Sequence, residues 1–240
     1  MLRTVSLAAV LLALLLVPPL QAAEEAPGGD APGSLTADVG LDPGHSDFDV
    51  GAVGGGLREA DLTLAVAFRV RELLESTGLS AAMSRLDNRP LTDYSDPDST
   101  EQIRREQEAR VAAVGRTRIY VSIHFNGFGN PLVRGTESYY NGDNQGEESR
   151  RLAESIQQQL VSEVKAAGYA VPDRGVKDDL AAGKPYGHFF SLRGPSPSVL
   201  VESMFLTNPH EAALLAQGGI REAIARGIAE GIIHYLAGEG

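Results

Sequence analysis

Short apolar runs alternate with stretches of helical periodicity from Ala37 onward, and this alternation is the strongest constraint on the fold. Val39-Gly40-Leu41 ends a strand-like run. Leu62, Ala65, Val66, Val70, Leu73 and Leu74 then recur at helical spacing between Glu59 and Thr77, and Gly78 is placed to cap that helix. Leu79 to Met83 reads as the next strand. Ser99, with Gln102 three positions on, forms a capping-box signature for a helix to Val114, closed by Gly115. Ile119 to Ile123 is apolar and β-branched, as a buried strand requires, and is expected to carry His124 at its C-terminal end. Thr136 to Tyr140 and Ser198 to Val201 read as further strands, the second ending at Glu202. Helices are expected over Glu148 to Ala167, after Asn208-Pro209, and over Ile220 to Leu236. The pattern predicts one α/β domain over residues 37–238, a mixed, mostly parallel twisted sheet with helices on both faces.

What precedes that domain has a different character. Arg3, the apolar run Val5 to Val17, Pro18-Pro19 and Ala22-Ala23 have the layout of a secretory signal, expected over residues 1–23. The run is too short to span a bilayer comfortably, so no stable membrane insertion is expected once the signal is removed. Residues 24–36, rich in Pro, Gly and acid, read as a flexible linker. An exported, periplasmic or cell-wall protein acting as a monomer is the expectation.

The chain has no cysteine, which excludes disulfides, thiol catalysis and cysteine-ligated zinc. Its net charge of −11 over 240 residues argues against a nucleic-acid partner, which needs a basic face. There is no Gly-x-Ser-x-Gly elbow, so a serine triad of that type is not expected.

Four residues remain with chemistry to offer: His45 after Asp42-Pro43-Gly44, Glu59 opening a helix, His124 in Ser122-Ile123-His124-Phe125-Asn126, and Glu202 after Val199-Leu200-Val201. Two imidazoles and one carboxylate make the three-ligand set of catalytic zinc, and a second carboxylate could move protons. His45, His124 and Glu202 are each expected just past a strand end, the edge where α/β sheets form ligand crevices. Singly, each has a plain structural explanation: a turn histidine, a core histidine, an acid in a first helical turn. Glu137, between strand residues, is expected to be structural or cleft-lining. Asp42 could orient an imidazole, and Arg85, Asp87 and Arg110 are expected to form a buried polar network behind the site. His188, His210 and His234 are not ligand candidates.

The ordered motifs resemble the N-acetylmuramoyl-L-alanine amidases of the zinc-dependent amidase 3 type. Asp42-Pro43-Gly44-His45, Gly51-Ala52, Glu59-Ala60-Asp61-Leu62, Ser84-Arg85-Leu86-Asp87 and Ser122 to Asn126 carry the resemblance in the first half. Gly135 to Tyr140, Arg174-Gly175-Val176-Lys177 and Val199 to Glu202, with Phe205 and Asn208, carry it in the second. The resemblance implies a phosphorylase/hydrolase-like sheet, Zn2+ held by His45, Glu59 and His124, and Glu202 as the catalytic carboxylate. It implies peptidoglycan as substrate, cut between N-acetylmuramic acid and L-alanine. Ser46-Asp47, Ala60, Gly115 and Ser203-Met204 depart from the family pattern without touching those four residues. A zinc carboxypeptidase-like exopeptidase and an inactive cell-wall binding protein are the alternatives. Only one long helix fits between Tyr140 and Glu202, so an open site without a plugging helix is expected.

Overall fold

The computed structural model describes residues 35–238 except Tyr94 and Pro97; the expected signal and all but the end of the linker lie outside the described residues. A six-stranded sheet runs in the order β4 (Ala81–Met83), β1 (Ala37–Pro43), β5 (Thr117–Asn126), β8 (Ser198–Phe205), β6 (Thr136–Tyr140), β7 (Asp173–Asp178). The first four strands are mutually parallel; β6 runs antiparallel to β8, and β7 parallel to β6. This is the mixed, mostly parallel sheet expected.

Strand alternation sorts the side chains into two faces. Val39, Leu41, Ile119, Val121, Ile123, Val199 and Val201 belong to the main core with helices α1 (Glu59–Ser76), α3 (Gly146–Ala166) and α5 (Gly218–Ala237). The alternate positions, Tyr139 and Leu200 among them, meet Phe189 and Leu192 on the other face, where α2 (Thr100–Ala113) also lies with its Arg110 beside Asp42. Helices therefore cover both faces. The α3–α5 contact depends on two glycines: a Cβ on Gly227 would come within 2.5 Å of Leu160 Cα, and one on Gly231 within 2.4 Å of Ile156 Cα. Only hydrogen fits there.

Local signals were mostly legible. Asn208 caps α4 (Pro209–Leu215), its Oδ1 accepting from His210 and Glu211 N–H at 3.0 Å each. Ser99 accepts from Gln102 N–H, but the Gln102 side chain accepts from Ser95 and Asp96 N–H instead of closing the box on Ser99. The polar loop before α2 takes the amide's oxygen because its own N–H groups need acceptors.

Two expectations change. β5 and β8 do not stop before their functional residues. The pairs His124↔Glu202 and Asn126↔Phe205 continue the ladder, so both residues sit inside strands rather than past their ends. The ladder persists because Phe125, Met204 and Phe205 still have a core to fill. The other change is an addition: β7, Asp173-Arg174-Gly175-Val176-Lys177-Asp178, has no apolar alternation, yet pairs at the sheet edge. Between Tyr140 and Glu202 the described elements are α3, β7 and two 3-10 turns, Asp179–Ala182 and Phe190–Leu192. The one long helix among them is α3, and it packs on the face away from Glu202.

Candidate active site

His45 follows β1 in left-handed backbone, φ 65°, which turns its ring back across the sheet edge. Glu59 opens α1, where the helix N-terminus favours a carboxylate. His124 stands on β5. These elements bring the three side chains together: Glu59 Oε1 lies 3.1 Å from His45 Nε2 and 3.0 Å from His124 Nδ1, and the two rings meet edge-on at 4.9 Å. Glu59 is also held by the backbone. Phe125 N–H donates to Oε1 at 3.0 Å and Ala52 N–H to Oε2 at 2.7 Å.

Ala52 precedes a two-strand hairpin, β2 (Val53–Gly54) and β3 (Leu57–Arg58), turned by Gly55 and Gly56 at φ 56° and 77°. That hairpin leads the chain back into α1 and fixes Glu59 within reach. Glycines leave the cluster its room. A Cβ on Gly44 would fall 2.2 Å from His124 Cε1, and one on Gly51 would fall 2.4 Å from Glu59 Oε2.

Burial opposes charge on both imidazoles. At His45 it is outweighed by Glu59 and by Asp49, which raise the ring to about 10; at His124 burial prevails and the pKa falls. The two rings hold Glu59 well below the usual carboxylate range although its burial works the other way. Sequence reasoning missed Asp49. Its Oδ2 lies 3.0 Å from His45 Nδ1, so it fixes that ring while Nε2 faces Glu59. A carboxylate four residues after a turn histidine was the available signal.

Can this group hold a metal? One donor atom from each of His45, Glu59 and His124 lies within 4.8 Å of the others. Two imidazole nitrogens and a carboxylate oxygen, with one ring backed by a second carboxylate, suit a divalent ion of the zinc type. The residues fit.

Register places the fourth residue. Glu202 on β8 pairs laterally with His124 on one side and with Glu137 on the other, so His124, Glu202 and Glu137 form one row across the sheet on the same face. Adjacent strands are about 4.8 Å apart, which puts Glu202 next to the histidine–glutamate group. Its Oε2 is buried without a hydrogen-bond partner. Burial first, and then the charge of Glu59, push its pKa well above the ordinary glutamate value. Glu202 opens into a cleft of about 460 Å³ shared with Asn126, Phe128, Glu137, Arg174, Lys184 and Phe189.

The family model for N-acetylmuramoyl-L-alanine amidase matches residues 39–234, nearly the whole described domain and all four of these residues. The chain belongs to the amidase 3 family. It is 36% identical over 230 residues to the uncharacterized protein YqiI of Bacillus subtilis, covering 96% of each chain. It is 31% identical over 206 residues to the germination-specific N-acetylmuramoyl-L-alanine amidase of the same organism, covering 83% of this chain and 80% of that one. Among solved structures, the N-acetylmuramoyl-L-alanine amidase of Clostridium difficile 630 superposes with a TM-score of 0.70 at 26% identity, over 86% of this chain and 100% of that one. As a family member the chain is an amidase acting on the cell wall.

The remaining sequence-marked residues divide. Glu137 is cleft-lining as expected: Arg174 Nε donates to its Oε2 at 2.8 Å, Lys177 pairs with the same oxygen, and Asn126 donates to Oε1 at 2.7 Å. Asp42 makes no hydrogen bond to an imidazole. It accepts from Ser84 and Ser122 hydroxyls and lies 3.1 Å from the Arg110 guanidinium, close but poorly aligned for a hydrogen bond. Burial opposes its charge, but Arg110 and the hydroxyls keep its pKa low. Arg85 is buried and donates to the carbonyls of Pro43, Gly44 and Ala60, bracing the turn that carries His45. Asp87 joins the expected network only through its carbonyl, which accepts from Arg85 at 2.9 Å, while its carboxylate pairs with Arg89 on the surface. His188, not expected as a ligand, joins Asp179 at 2.5 Å and Asp143 at 3.1 Å, and with Asp178 and Asp179 it forms a second group whose donor atoms lie within 4.8 Å of one another.

Proposed function

We propose that the chain is a zinc-dependent peptidoglycan hydrolase that cleaves the amide between the lactyl group of N-acetylmuramic acid and L-alanine. In this reading His45, Glu59 and His124 hold Zn2+, and Glu202 is the catalytic carboxylate. The observation that carries it is the lateral pairing His124↔Glu202, which sets an unpartnered, buried carboxylate oxygen beside a ready metal-donor set.

Zinc in such a group supplies Lewis acidity towards the carbonyl oxygen and lowers the pKa of water. The protein's own residues do the rest. Asp49 holds the His45 ring by Nδ1, leaving Nε2 as the donor. Ala52 and Phe125 N–H groups fix both oxygens of Glu59, so its position does not rely on the metal alone. Glu202, with its pKa raised by burial, takes a proton from the attacking water and returns it to the departing amine of L-alanine. The cleft beside it gives the peptide a place to lie.

Export by residues 1–23, a linker over 24–36, a catalytic domain over 37–238 and a monomeric state complete the proposal; no described helix is long and apolar enough to cross a membrane. The test is mass spectrometry of purified sacculi digested by the domain, with and without a chelator. Intact stem peptides bearing a free L-alanine amine, uncut glycan, loss of activity on chelation and recovery with zinc support the reading. Release of single C-terminal residues would mark an exopeptidase, and binding without release a wall-binding protein. Activity without an added activator is expected, because α3, the one long helix described between Tyr140 and Glu202, packs on the face away from Glu202.

A further inference from the structure

Two cations, Arg174 and Lys184, line the cleft that contains Glu202, and they are not equivalent. Arg174 is held by Glu137, a carboxylate it shares with Lys177. Lys184, among the described residues, pairs with no carboxylate; its ammonium sits 6.0 Å from the Phe189 ring centroid and lines the cleft. It is near enough to favour the charged form of Glu202.

The segment bearing this lysine is tied down at both ends. Buried Asp179 accepts from Phe189 N–H at 2.7 Å and pairs with His188, whose other nitrogen reaches Asp143 across the cleft wall. Arg193 donates to the carbonyls of Tyr186 and His188 at 2.9 and 2.7 Å. An exposed lysine on a loop braced this way has a defined place, and the Phe189 face gives its stem apolar support.

We propose that Lys184 is a specificity-determining residue that receives a carboxylate of the peptide released by the reaction. The physical need is clear. A chain of net charge −11 repels an anionic peptide unless a cation answers it locally. Arg174 and Lys177 are held in place by Glu137, whose one charge they share, and cannot turn to a substrate without leaving it. Lys184 can, and it lies in the same cleft as the carboxylate that protonates the departing amine. This inference rests on the amidase reading above.

The test uses N-acetylmuramoyl-L-alanyl peptides with glutamate as second and last residue, in three forms: both carboxyls free, side-chain carboxyl amidated, and terminal carboxyl amidated. The parent should prefer the free acid over one amidated form by about fivefold in kcat/KM, mostly through KM, and that form identifies which carboxylate is read. Lys184→Gln should abolish the preference, Lys184→Arg should keep it, and Lys184→Glu should invert it. An equal change on all three substrates, or a shifted pH profile of kcat with the preference intact, would mean that Lys184 acts only on Glu202 and would overturn the proposal. A parent that cleaves all three equally would also overturn it. A parent that cleaves none of them breaks the amidase reading instead.

Discussion

The two sides of the active-site cleft are held by different physics. The donor side, His45, Glu59 and His124, rests on buried strand ends, a helix N-terminus and backbone N–H groups, with glycines where no further carbon fits. The far side, from β7 to Leu192, rests on charge: Glu137 with Arg174 and Lys177, Asp179 with His188, Arg193 on two carbonyls. A packed cradle admits one geometry. A charge-braced wall can change its side chains while keeping its course, which makes it the place for substrate preference.

The largest effect that would break this contrast concerns Gly44. Gly44→Ala puts a carbon 2.2 Å from the His124 ring, so the ring must move. Displacement by an ångström costs on the order of 100-fold in kcat/KM, and zinc content should fall with it. Parental activity and full zinc in this variant would show that the cradle is softer than described. Asp49→Ala should come next, weakening metal affinity by about 10- to 100-fold, measured by competition with a chelator. Unchanged affinity would mean that the His45 ring is oriented by something other than Asp49.

On the far wall the expected losses are of stability rather than chemistry. Asp179→Asn leaves His188 without its buried anion and should cost about 1–3 kcal/mol in urea unfolding, with zinc content retained. A loss of zinc would show that the two sides are coupled. The smallest effect is a pH dependence. His188 is opposed by burial but raised above its ordinary 6.5 by Asp179 and Asp143. A raised folded pKa means its contribution is fully present below 6.5 and lost as pH rises through the higher folded value. Cleavage by trypsin in the 178–193 segment should therefore increase on going alkaline, and His188→Gln should flatten that trend. A trend of the same size in the variant would remove His188 as its cause.

The same contrast explains what was legible in the sequence. The donor side announced itself because buried strands and amphipathic helices obey strong periodicities, and His45, Glu59, His124 and Glu202 sit on or beside them. Their strand ends were misjudged by a few residues. Polar His124 and Glu202 look like terminators, whereas the ladder runs on beneath them to Asn126 and Phe205. The far side stayed hidden because β7 has no apolar alternation and its pairing is satisfied at an edge, with Gly175 at φ 79° close to a register shift. Asp49, marked only by its place four residues after His45, and the His188 bridges were missed for a related reason: such contacts depend on how the loops fold, which local periodicity does not encode.

The central claim is a division of labour: three residues hold metal, and Glu202 moves protons. Zinc content and sacculus hydrolysis measured together on Glu202→Gln test it most directly. The account predicts one equivalent of zinc retained and hydrolysis reduced by about 100-fold or more, the scale of a lost general acid–base group. Hydrolysis at the parental rate with zinc in place would contradict it.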